Sequence, residues 1–151
     1  MITKTITYTD FNGVERTENY MFNLTKAELF EMEMGKDGGL VEHLQAVVNA
    51  KKQSEIIKFF KQIVLKAYGK KSDDGRFFNK VDENGIPYSR EFESSPAYSE
   101  IFMELATDDN KGAEFVNGIM PKDLADKAQE YIKSHPEIAN VKLPNAVPDA
   151  N

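Results

Sequence analysis

Residues 66–80 read KAYGKKSDDGRFFNK, a stretch in which two glycines stand among basic residues, a serine and an acidic pair. Glycines beside Lys and Ser are the ingredients of phosphate cradles, and acidic or amide oxygens around a glycine are those of calcium loops. A phosphate loop needs G-x-x-x-x-G-K-[ST] between a strand and a helix, so that backbone amides and the lysine converge on one anion. Gly69 and Gly75 are one residue too far apart for it, Arg76 and Phe77 replace its Lys and Ser/Thr, and a helix is expected before the loop. SDDGRFFNKVDEN also misses the register of a calcium loop, which ends in a distant bidentate Glu. The stretch fits a structural role better. Gly69 is expected to end a helix, the lysines to favour that helix's negative end, and Asp74-Gly75 to turn the chain.

Other chemistry fails on companions. His43 and His135 are the only histidines and lack helical metal spacing, and there is no cysteine to supply a thiolate nucleophile, a zinc knuckle or a disulfide. No G-x-S-x-G elbow is present. Glu31 with Glu33, and Asp108 with Asp109, are acidic pairs of the kind that cap and solvate helix ends, and acid catalysis would require a pocket to raise one pKa. Met32, Met34, Met103 and Met120 suit core filling or an adaptable contact surface. No enzyme activity, cofactor or metal site is therefore expected. Tyr68, Arg76, Phe77 and Phe78 are the candidate protein-interaction residues, either fixing the 66–80 connection onto the core or meeting a client.

The bulk properties narrow the class. A chain of 151 residues, 40% hydrophobic and 29% charged, is long enough for one hydrophobic core. Its net charge of −6 argues against a general nucleic-acid or acidic-membrane binder, since phosphate recognition needs a basic face. MITKTITYTD lacks an apolar signal core, and no apolar run approaches the roughly 18 residues of a bilayer span, so a cytosolic protein is expected.

These residues must be positioned by elements that the periodicity outlines. Residues 2–9 alternate Ile2, Lys4, Ile6 and Tyr8 with threonines, which predicts a strand; Asn12-Gly13 predicts a tight turn, and VERTENYMF a second strand. A hairpin alone is marginal, so it must lie on helices or pair with another chain's edge. Thr25 and Glu28 form a capping box before a short helix carrying Leu29, Phe30 and Met32 and ending at Gly35. LVEHLQAVVNA continues helically through Leu40, Leu44, Val47 and Val48. Ser54 is expected to cap the principal core helix, with Ile56, Phe59, Phe60, Ile63, Val64 and Ala67 on a wide face. Asn84-Gly85 predicts a turn, followed by an extended or irregular connection through Pro87 that tolerates changes of length. Ser95-Pro96 starts a helix with Tyr98, Ile101, Phe102 and Leu105 as its stripe. A short helix with Phe115 and Val116 should stop at Gly118, and a last one should run from near Pro121 to His135-Pro136.

The expected fold class is α+β, mainly α: one domain over 1–136, with an N-terminal β-hairpin at 1–22 and a helical body of five to six helices at 25–134. Residues 137–151, with two prolines and no period, are expected to be a flexible tail. The two helices beginning at Ser54 and Ser95 should pack through Phe59, Phe60, Ile63, Phe102 and Leu105.

Three blocks in order, TYTDFNGVERTENYMFNLTKAEL, KAYGKKSDDGRFF and AYSEIFMELATDDNKGAEFVNGIMPKDLA, resemble the tail assembly chaperones of tailed, siphovirus-type bacteriophages of Gram-positive bacteria, over roughly residues 3 to 128. The resemblance implies a non-catalytic protein of the infected cell's cytoplasm. Such a protein coats the tape measure protein, brings tail tube subunits (the major tail protein) to it and leaves before the virion matures. It carries over no site residues. Self-association through the hairpin edge is a further expectation, and nucleic-acid or membrane partners are not expected. Alternative readings are a structural tail or head–tail joining protein of the virion, or a small phage protein that binds a host regulatory or defence protein.

Overall fold

The computed structural model describes residues 1–34 and 53–121. Strands β1 (Ile2–Thr9) and β2 (Glu15–Phe22) form the expected hairpin, in continuous register from Ile2 opposite Phe22 to Thr9 opposite Glu15. Asp10 builds its turn: one carboxylate oxygen accepts from the backbone N–H of Asn12 and of Val14, both at 2.9 Å, and Gly13 takes a φ of +80° that a side chain would oppose. The even residues of β1 face the helices, where Ile6 is buried, whereas Thr3, Thr5, Thr7 and Thr9 are exposed on the opposite face.

Helix α1 (Lys26–Met34) opens with the predicted capping box. The Thr25 N–H donates to Glu28 Oε2 at 2.8 Å, and the Glu28 N–H to Thr25 Oγ1 at 3.2 Å. Helix α2 (Gln53–Ala67) buries Phe60, Ile63, Val64 and Ala67. It includes Ser54, which therefore does not cap it. Strands β3 (Tyr68–Lys71) and β4 (Phe78–Asn79) follow, then helices α3 (Tyr88–Glu93), α4 (Pro96–Thr107) and α5 (Asp109–Ile119). Ser95 caps α4 as its Pro96 start predicts, accepting from the Tyr98 N–H at 3.2 Å. Asp108 caps α5, accepting from the N–H groups of Asn110 and Lys111.

The fold class differs from the sequence expectation. Among the described residues the structure holds a four-stranded antiparallel sheet in the order β1-β2-β3-β4, packed with five helices, and so is not a helical body carrying only a hairpin. The two additional strands are short and read YGKK and FN, with no alternating apolar pattern. Their extended form comes from pairing: Tyr68 lies opposite Phe22, Gly69 opposite Met21, and Lys71 opposite Phe78. Tertiary context, which local propensity cannot register, decides them.

Three local expectations change with this. Gly69 does not end a helix in the left-handed conformation; it is a buried strand residue. The segment after Pro87 is helical rather than irregular, and its Phe92 is buried in the core. Gly118 lies inside α5, where a Cβ would come within 3.1 Å of the Ile2 side chain. The glycine thus lets α5 close onto β1 instead of stopping the helix.

One contiguous core joins β1, β2 and all five helices. Phe22, Leu24, Val64, Ala67, Ala97, Ile101, Leu105, Phe115 and Ile119 lie at its centre. The packing of α2 on α4 occurs as the stripes predict, with the Phe60 and Phe102 rings 6.5 Å apart edge to face. The side chains of Ile56 and Phe59 lie outside the described residues. So do Gly35, the segment holding His43, Leu40, Leu44, Val47 and Val48, the last helix to His135 and the 137–151 tail.

Candidate protein-interaction surface

The four candidate residues of the 66–80 stretch fall into two groups. Tyr68 continues directly from α2 into β3 and turns inward, its ring stacked on Phe92 with centroids 4.3 Å apart and planes at 25°. Phe22 and Tyr20 flank it at 5.8 and 6.1 Å. Burial pushes the Tyr68 hydroxyl above its ordinary pKa, with the Glu18 and Glu91 carboxylates adding to the shift. This tyrosine belongs to the core.

Phe78 is half-buried over Gly69. A Cβ on Gly69 would approach Phe78 Cε1 to within 2.4 Å and the Asn79 carbonyl oxygen to within 2.8 Å, so no side chain fits. The glycine is there for close approach of the ring and the neighbouring strand. Lys80 lies over the Phe78 ring, its ammonium 5.3 Å from the centroid. Its ammonium donates to the carbonyls of Asn23 at 2.7 Å and Lys66 at 2.5 Å, and pairs with Glu28 at 3.3 Å. Burial pulls its pKa down, and the Glu28 carboxylate opposes that shift. One side chain thereby ties the exit of β2, the last turn of α2 and the capping box of α1 together.

Arg76 and Phe77 are different. They sit on the β3–β4 loop, which closes on itself: the Ser72 hydroxyl donates to Asp74 Oδ1 at 2.7 Å, and the same oxygen accepts from the Arg76 N–H at 3.0 Å. The Phe77 N–H donates to Ser72 Oγ at 3.0 Å, and Gly75 takes a φ of +75°. Ser72 Oγ and Asp74 Oδ1 are thus engaged by the loop's own donors, and the Arg76 N–H with the Ser72 hydroxyl holds the Asp74 carboxyl below its ordinary pKa. Phe77 remains 56% exposed, with the Arg76 guanidinium 5.4 Å from its ring centroid. The structure thus brings Tyr68 and Phe78 into packing and leaves Arg76 and Phe77 at the surface.

Sequence reasoning missed a second exposed group at the β1–β2 turn, where Phe11 is 86% exposed beside Val14. The signal was present: in D-F-N-G the phenylalanine occupies the corner of a turn, whose side chain cannot reach the core behind it. Val81 and Ile86 flank a third turn built like the first. There the Asp82 carboxylate accepts from the N–H groups of Asn84 and Ile86, and Gly85 takes a φ of +80°.

Among the described residues, no three or more His, Cys, Asp or Glu side chains gather as a metal site. No described helix is long and apolar enough to cross a membrane. The large apolar side chains exposed among the described residues include Phe11, Val14, Phe77, Val81 and Ile86 at turns and Phe30 on α1.

No curated protein and no solved structure matches the chain. A family model described as phage tail assembly chaperone matches residues 1–150, nearly the whole sequence. With that coverage, and with the three blocks of the sequence lying inside it, the chain belongs to the phage tail assembly chaperone family.

Proposed function

We propose that the chain acts without catalysis in the infected cell's cytoplasm, binding the tape measure protein and bringing the major tail protein to it. The family match over residues 1–150 carries this reading. Phe77 with Arg76 on one turn and Phe11 with Val14 on another supply the client contacts in it. Each pairs an exposed apolar group with a rigid backbone, so binding costs little ordering entropy. The apolar helix faces of a tape measure protein are the chemistry such side chains would cover, and the chain's net charge of −6 keeps the complex soluble.

Co-expression with the tape measure protein tests this. A soluble complex on a sizing column is expected, weakened at least tenfold by Phe11→Ser with Phe77→Ser, while the melting temperature of the free protein stays unchanged. A tape measure protein that remains insoluble beside the wild-type chain would sink the reading. Abundant copies in purified virions would instead make it a structural tail component.

A further inference from the structure

We propose that β1 is an interface strand through which two copies of this chain pair edge to edge, antiparallel, so that the four described strands of each copy continue into one sheet. This goes beyond the client-binding reading and does not rest on it.

The turn sets the phase of the hairpin ladder. The Asp10 N–H donates to the Val14 carbonyl at 2.8 Å, so Asp10 and Val14 are a hydrogen-bonded pair. Bonded and non-bonded pairs alternate along an antiparallel ladder. Counting back through the register, Tyr8, Ile6, Lys4 and Ile2 exchange their backbone bonds with β2. Thr9, Thr7, Thr5 and Thr3 therefore turn their N–H and C=O groups away from β2, toward the outer edge, where no described strand pairs with them. The contact of Thr7 Oγ1 with Thr17 Oγ1 at 2.9 Å fits the closer side chains of a non-bonded pair.

The two edges of the sheet are treated differently. β4 is two residues long and runs directly into Lys80, which blunts it. β1 is eight residues long, with no proline and no bulge in its register. Its single charge, Lys4, is held by Glu104 at 2.8 Å on the helix side. Apart from the inward-pointing Lys4, neither a proline, a bulge nor a short length protects this strand, and no described strand pairs with its outer edge.

Charge and register select a second copy as the occupant. Two molecules of net charge −6 repel unless they meet along an acid-free seam, and residues 1–9 contain no Asp or Glu. A two-fold axis perpendicular to the sheet near Ile6 places Thr5 opposite Thr7 of the second copy, and Thr3 opposite its Thr9. All four outward-turned threonines then exchange backbone bonds with the second copy. Helix-covered faces continue into one another, as do the threonine faces, so the pairing is self-complementary.

Light scattering across a concentration series reaching millimolar tests this on the full chain. Wild-type protein is expected to approach twice the 17.1 kDa of one chain. Thr5→Pro deletes a donor that the hairpin does not use, and is expected to give the single-chain mass with the far-UV spectrum retained. Should that variant fail to fold, Thr5→Glu with Thr7→Glu places opposed acids across the axis on exposed positions and is expected to give the same loss. Thr17→Glu, one strand in from the edge, should leave the dimer intact. A wild-type chain that stays at 17.1 kDa throughout, or a dimer that survives both edge variants, overturns the proposal. So does a monomeric wild type whose complex with the tape measure protein is lost in Thr5→Pro, since the edge would then serve a client strand.

Discussion

At the scale of single residues, Gly69 and Glu104 show what a local reading cannot weigh. Gly69 looks like a helix stop in the sequence, but its role is set by Phe78 and Asn79, nine and ten residues further on. Gly69→Ala should cost about 1–3 kcal/mol by overpacking, measured by denaturant unfolding. Adding Phe78→Ala should recover only part of it, because the Asn79 carbonyl oxygen still stands 2.8 Å from the new Cβ. Glu104 receives Lys111 at 2.7 Å and Lys4 at 2.8 Å, and these bonds hold its pKa below the ordinary carboxylate value. A carboxyl depressed by folding adds stability above its unfolded pKa and loses it as pH falls through its folded one. Unfolding midpoints taken from neutral pH down to about pH 3 should fall less steeply for Glu104→Gln than for wild type. Equal slopes would show that the two lysines contribute nothing there.

Among elements, the short helix α3 is the one whose importance the sequence hid. YSREFE offers only Tyr88 and Phe92 as large apolar residues and follows a proline, which reads as connection rather than core. Yet Phe92 stacks on Tyr68 and lies 5.4 to 5.7 Å from the rings of Tyr20, Phe22 and Tyr98. Phe92→Ala should therefore cost about 3–5 kcal/mol, as a core aromatic does, and a loss below 1 kcal/mol in chemical denaturation would refute this placement. Elements with their own periodicity or caps were legible: the hairpin, the capping box at Thr25, the stripes of α2 and α4, and the Ser95-Pro96 start. Those made by pairing or by a single anchoring ring, namely β3, β4 and α3, were not. The same divide runs through the candidate surface. Its turn residues were visible in the sequence, whereas the separation of Tyr68 and Phe78 from Arg76 and Phe77 depends on which strand each one enters.

For the molecule as a whole, the consequence of a shared core is cooperativity. Hairpin, helices and β3 meet around Phe22, whose ring lies within 6 Å of Tyr68, Phe92 and Phe115. No described element has a core of its own. Thermal unfolding followed by tyrosine near-UV signal and by far-UV helix signal should give coincident transitions, and a hairpin melting separately would contradict the single cluster. The outward turns lie beyond this core, so side chains can change there without altering what holds the fold.

The twin aspartate turns carry a consequence for the chemical ageing of the protein. Asn12-Gly13 and Asn84-Gly85 are the kind of pair in which the glycine nitrogen attacks the asparagine amide, closing a succinimide that opens to aspartate or isoaspartate. In the folded chain each of those nitrogens already donates to the carbonyl of Asp10 or Asp82, at 3.0 Å in both turns. The bonds that shape the turns thus withhold the attacking atom, and deamidation at these two asparagines becomes a clock that runs fastest while the chain is unfolded.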